Sequence, residues 1–171
     1  MKPEKSAVHL ISPGRQLAPA HPRPRVVFAH DETSRSDTRT EKPARILIVE
    51  DDFLVAMQME SALADAGFEI AGVASSGEDA IELAMSERPR LAVMDIRLAG
   101  DRDGIDTALT LFAEQGIRCV FATAHHDEHA RRRAEPAAPL GWLAKPYTMG
   151  SLVTMVRRAL DELGDPPCPA G

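Results

Sequence analysis

Five short apolar runs rich in Ile, Val and Leu recur between residues 45 and 144, and each is followed by a stretch with helical spacing. The runs are Ile46-Leu47-Ile48-Val49, Glu69 to Ala74, Leu91-Ala92-Val93-Met94, Ile117 to Ala122 and Leu140 to Ala144. Continuous apolar runs this short suit strands covered on both faces, which is the setting of a parallel sheet. Parallel neighbours need crossover connections, and the segments between the runs are long enough to supply them. The alternation therefore restricts the chain to a (βα)5 open sheet: α/β, five parallel strands, doubly wound, in three layers.

The connecting segments carry helix punctuation. Val55, Met59, Ala62, Leu63 and Ala66 form a stripe at helical spacing that Gly67 ends. Ser76-Gly77-Glu78-Asp79 reads as a capping box ahead of Ala80, Ile81 and Ala84, with Pro89 as the stop. Asp103 to Gln115 buries Ile105, Ala108, Leu109 and Phe112 and ends at Gly116. Thr148 caps a last helix that uses Leu152, Val153, Val156 and Leu160. The fourth helix, about His126 to Ala134, is short and highly charged.

Outside Arg45 to Leu163 the pattern stops. Residues 1–44 contain six prolines and a polar stretch from Asp31 to Lys42, and we read them as an extension without regular structure. Residues 164–171 (GDPPCPAG) read as a flexible tail. The formal charge of −6 divides unevenly, with eight Lys and Arg against five Asp and Glu in residues 1–44 and twelve against twenty-one in the remainder. An acidic folded region repels nucleic-acid phosphates, so direct nucleic-acid binding is not expected, whereas a cation site is. No run is long enough to cross a membrane and no secretory signal is evident. The two cysteines do not suggest a disulfide framework, and a cytoplasmic location fits them.

In an open α/β sheet the ligand crevice lies beyond the carboxyl ends of the strands. There the chain places Glu50-Asp51-Asp52 after the first run, Asp95 after the third, Thr123 after the fourth and Lys145-Pro146 after the fifth. Clustered carboxylates repel unless a cation joins them, and oxygen-only ligands in a half-open site suit Mg²⁺. Asp95 stands alone at a central strand end, the place for a nucleophile whose approach to an anionic donor a metal shields. Lys145 and Thr123 would meet a transferred phosphoryl group, while Asp52 more simply caps the first helix.

These residues fall into four motifs: Ile46-Leu47-Ile48-Val49-Glu50-Asp51-Asp52; Met94-Asp95-Ile96-Arg97-Leu98 with Asp103-Gly104-Ile105; Phe121-Ala122-Thr123-Ala124; and Leu143-Ala144-Lys145-Pro146-Tyr147. Together, in this order and spacing, they resemble the receiver domains of two-component response regulators over residues 45–163. The resemblance implies the CheY-like, flavodoxin-like three-layer sandwich. It implies that Asp95 accepts a phosphoryl group from a sensor histidine kinase or a histidine phosphotransfer protein, in phosphorelay signalling rather than as an enzyme acting on a separate substrate. Glu50, Asp51, Asp95 and the backbone carbonyl of Arg97 would hold Mg²⁺, with Asp51 the more direct ligand. Thr123 and Trp142 would form the switch, the Lys145–Pro146 peptide would be cis, and Arg97 and His125 would tune the lifetime of the aspartyl phosphate. Output would pass through protein contacts of the fourth helix, fifth strand and fifth helix, through a phosphorylation-dependent dimer, or by onward phosphotransfer from a stand-alone receiver.

Other readings compete. The contiguous acids after the first run argue against an aspartyl phosphohydrolase, which places Asp-x-Asp there. A phosphorylation-independent adaptor would need no complete set of site residues. Trp142 could be a static aromatic, His125, His126 and His129 a solvated loop rather than a zinc site, and Arg131-Arg132-Arg133 a solvated face or a docking patch.

Overall fold

A computed structural model describes residues 43–123 and 128–164. Most of the extension at 1–44, nearly all of the tail at 164–171, and Ala124 to Asp127 with His125 and His126 lie outside the described residues. The elements run β1 (Arg45–Val49), α1 (Phe53–Asp65), β2 (Glu69–Ala74), α2 (Gly77–Glu87), β3 (Leu91–Asp95), α3 (Gly104–Gln115), β4 (Cys119–Thr123), α4 (Glu128–Ala134), β5 (Gly141–Ala144) and α5 (Met149–Leu163). A single 3-10 turn, Glu135–Ala137, follows α4. All strand pairs are parallel, in the order β2-β1-β3-β4-β5.

Successive strand residues face opposite layers, and the sequence fills both. Leu47, Val49, Ala92, Met94, Cys119 and Phe121 join the α2–α3–α4 layer with Ala80, Ala84, Ile105, Ala108 and Leu111. Ile46, Ile48, Leu91, Val93, Val120 and Ala122 join the α1–α5 layer with Met59, Leu63, Leu152, Val156 and Ala159. Burial on both faces is why these strands are continuous apolar runs rather than alternating ones.

Several strand boundaries differ by one or two residues from expectation. Ile117 is buried but lies ahead of β4, in the turn after α3, where its N–H bonds Leu111 O at 3.2 Å. Leu140 precedes β5, and β3 and β4 extend onto the polar residues Asp95 and Thr123 that follow their apolar runs. The caps follow the sequence closely. Asp52, Ser76, Asp103 and Thr148 each accept from backbone N–H groups of the first helical turn. Helix C-termini are satisfied by distant arginines: Arg45 donates to Glu87 O, Arg90 to Leu163 O and Arg157 to Ala66 O.

Candidate active site

The carboxyl edge of the sheet gathers the predicted residues because β1, β3, β4 and β5 are in register and end together. Glu50 follows β1 and Asp95 closes β3, and both are buried, at 3% and 9% exposure. Asp51 is exposed beside them. One carboxylate oxygen from each of the three lies within 4.8 Å of the others. Lys145 reaches in from the end of β5 and donates to Glu50 Oε2 at 2.8 Å and Asp95 Oδ2 at 2.7 Å. The Lys145–Pro146 peptide is cis. Lys145 N–H also donates to Thr123 O at 2.7 Å, tying the ends of β4 and β5 together beneath the site. Thr123 is buried at 9% exposure.

The electrostatics follow from burial. Desolvation raises the Glu50 pKa, and the negative charge of Asp95 adds to it, against the opposing hydrogen bond from Lys145. Burial disfavours the Lys145 ammonium, but its hydrogen bonds to Asp95 and Glu50 outweigh that and raise its pKa. One ammonium therefore serves two buried carboxylates, with a third exposed alongside. This oxygen-only set has more negative charge than its own cation balances, and it fits a hard divalent cation such as Mg²⁺. Cys119 offers no competing nucleophile: complete burial pushes its thiol up to about 12.

The backbone around Asp95 is close-packed. A Cβ at Gly104 would stand 1.8 Å from Asp95 O, so only glycine fits where α3 begins. Gly104 N–H donates to Ile96 O at 2.8 Å, and Asp103 caps α3 by accepting from Asp106 N–H at 2.9 Å. Arg97 N–H approaches Asp95 Oδ1 at 3.4 Å, and the Arg97 side chain is exposed. Trp142 is half-buried on β5, stacked on Phe121 with ring centroids 4.7 Å apart and beneath the Arg131 guanidinium at 4.9 Å.

The response regulator receiver domain family model matches residues 46–157. This chain belongs to that family. The receiver is 33% identical over 125 residues to the transcriptional regulatory protein PdtaR of Mycobacterium tuberculosis, covering 73% of this chain and 60% of that protein. It is 31% identical over 132 residues to the phyllosphere-induced regulator PhyR of Methylorubrum extorquens, covering 76% of this chain and 48% of that protein. The matched part thus spans 48% to 60% of the length of these relatives. Among solved structures, the receiver domain of a modulated diguanylate cyclase from Desulfovibrio desulfuricans G20 aligns with a TM-score of 0.65 at 34% identity, over 70% of this chain and 95% of that one. A CheY-like receiver from Methanospirillum hungatei JF-1 shares the fold, with a TM-score of 0.64 over 70% of this chain and 95% of that one, at 23% identity.

Two functional features escape a reading of the sequence. The steric role of Gly104 is hidden in a motif that names the glycine without saying what it touches. The other is Arg133, which the arginine run presents as equal to its neighbours. It binds Asp103 Oδ2 at 2.9 Å and Asp106 Oδ1 at 3.0 Å, joining α4 to the start of α3. Only its phase relative to Ala130 and Ala134 could have singled it out.

Proposed function

We propose that this receiver accepts a phosphoryl group on Asp95 from a phosphohistidine, in a Mg²⁺-dependent step of phosphorelay signalling. The observation that carries the reading is the shared ammonium: Lys145 bonded at once to Glu50 and Asp95, with Asp51 in reach of both. An Asp95 oxygen attacks phosphorus, the new O–P bond forms as the N–P bond breaks, and the imidazole leaves with a proton. Glu50, Asp51, Asp95 and the Arg97 carbonyl would hold Mg²⁺, which when bound neutralises charge on the phosphoryl oxygens. Lys145 gives up part of its hold on Asp95 and pairs with the phosphoryl group, and Thr123 donates a hydrogen bond to it.

Trp142, packed on the strand that ends in Thr123, reports or relays that change, and Arg97 and His125 set how readily water attacks the acyl phosphate. The partners are a sensor histidine kinase or histidine phosphotransfer protein upstream and a protein docking on α4, β5 and α5 downstream, in the cytoplasm, with dimerisation on that face as one form of output. Among the described residues no helix is long and apolar enough to cross a membrane. Incubation with acetyl phosphate and Mg²⁺ tests the reading. One acid-stable, base-labile phosphoryl group per chain is expected, absent without the metal and absent in Asp95→Asn. Equal labelling of the Asn variant would refute it.

A further inference from the structure

The loop between β3 and α3, residues 96–103, carries Arg97, and the way it is held decides where the Arg97 carbonyl points. Its base is closed by the Gly104 N–H on Ile96 O at 2.8 Å, and its middle forms a parallel bridge between Ala99 and Ser76. Gly100 then turns the chain through φ +107°, the left-handed region that favours glycine, where a Cβ would stand 3.6 Å from Glu78 Oε2.

Past Gly100 the loop is tied down by Arg102. Its Nη1 donates to Thr110 Oγ1 on α3 at 2.7 Å, and its Nε lies 3.8 Å from Glu78 Oε1 on α2. The stem crosses the start of α2 over Gly77, where a Cβ would stand 3.0 Å from Arg102 Cδ and 3.2 Å from Cγ. Thr110 Oγ1 donates to Asp106 O at 3.0 Å, which leaves the hydroxyl oxygen as an acceptor for the guanidinium. Of the two contacts the hydrogen bond dominates. It is charge-assisted and part-buried, whereas the ion pair is long and its side chains are 38% and 60% exposed.

We propose that Arg102 is a positioning residue for the divalent cation: it clamps the β3–α3 loop to α2 and α3, sets the Arg97 carbonyl for the metal, and so raises affinity without touching the ion. The proposal rests on the reading of Glu50, Asp51, Asp95 and the Arg97 carbonyl as the cation site. Charge alone argues for the opposite effect. A guanidinium on the loop of a cation site repels the ion, so an arginine acting through its charge would weaken binding. The clamp acts through geometry. Mg²⁺ demands near-ideal octahedral placement of its ligands, whereas Ca²⁺ tolerates a looser shell.

Isothermal titration calorimetry of the full chain with Mg²⁺, and separately with Ca²⁺, tests the clamp. Arg102→Gln is expected to weaken Mg²⁺ binding about three- to tenfold, the low end of what supporting residues cost because this side chain is partly exposed. Ca²⁺ binding should weaken less. Thr110→Val keeps the charge and removes the acceptor, and it should weaken Mg²⁺ binding in the same direction. Arg88→Gln, the same change of charge at the far end of α2, should bind as the parent does. Tighter or unchanged Mg²⁺ binding by Arg102→Gln, whatever happens to its metal-free urea midpoint, would overturn the clamp. So would a loss of Mg²⁺ and Ca²⁺ affinity by the same factor, or Thr110→Val binding Mg²⁺ as tightly as the parent. If the parent shows no Mg²⁺ binding that Asp51→Asn removes, the cation site itself fails and the clamp falls with it. Binding that Asp51→Asn abolishes and Arg102→Gln leaves intact sinks the clamp alone.

Discussion

Lys145 is the residue on which the site's charge balance turns. Glu50 and Asp95 are buried and share its ammonium, so removing it leaves two carboxylates facing each other without a cation. Lys145→Met is expected to lower stability in urea by about 1–3 kcal/mol, below the full cost of breaking a deeply buried pair because the lysine side chain is 26% exposed. Added Mg²⁺ should recover part of that loss, and an unchanged urea midpoint in metal-free buffer would contradict the account. Gly104 gives a second test at this scale. Its Cα lies against the Asp95 carbonyl, backbone against backbone, so no rotamer change can make room. Gly104→Ala should cost about 3 kcal/mol or more, read by the same titration.

At the scale of elements, α3 is the piece that joins the site to the rest of the helical layer. Its N-cap, Asp103, bonds the Asp106 N–H and pairs with Arg133, so Asp103→Ala is expected to destabilise by about 1 kcal/mol at neutral pH. The pKa of Asp103 is lowered in the fold, so its contribution is complete above its ordinary value of 3.8 and is lost as pH falls through the folded value. The stability gap between parent and variant should therefore close in acid; a gap that persists below that range would show that charge is not the source. Elements of this kind were legible where the physics is local. Asp52, Ser76, Asp103 and Thr148 announce helix starts because a cap needs only its own next turn. Ile117 misled, because burial in a turn leaves the same apolar mark as burial in a strand. The arginines at helix C-termini were illegible, since Arg45 and Glu87, or Arg90 and Leu163, meet only after the sheet has formed.

For the whole molecule, the doubly wound parallel sheet was readable from the alternation of runs because strands apolar on both faces have few other ways to be buried, whereas the order β2-β1-β3-β4-β5 came from the structure. The positions of Glu50, Asp51, Asp95, Thr123 and Lys145 were readable as strand ends for the same reason. What the sequence could not apportion is the burial within the acidic group, where Glu50 is enclosed and Asp51 exposed, because that depends on how the loop after β1 turns. Binding of a cation by this group would stabilise the native state alone. A tenfold excess of Mg²⁺ over its dissociation constant should add about 1.4 kcal/mol, seen as a rise in Tm that Asp51→Asn removes.

The most direct test of the central claim is to find the phosphoryl group. After reaction with acetyl phosphate and Mg²⁺, borohydride reduces an acyl phosphate to the corresponding alcohol, which peptide mass spectrometry locates. The account predicts homoserine at position 95 and an intact carboxylate at Glu50, Asp51 and Asp52. Reduction at any of those three instead, or the same product without Mg²⁺, would contradict it.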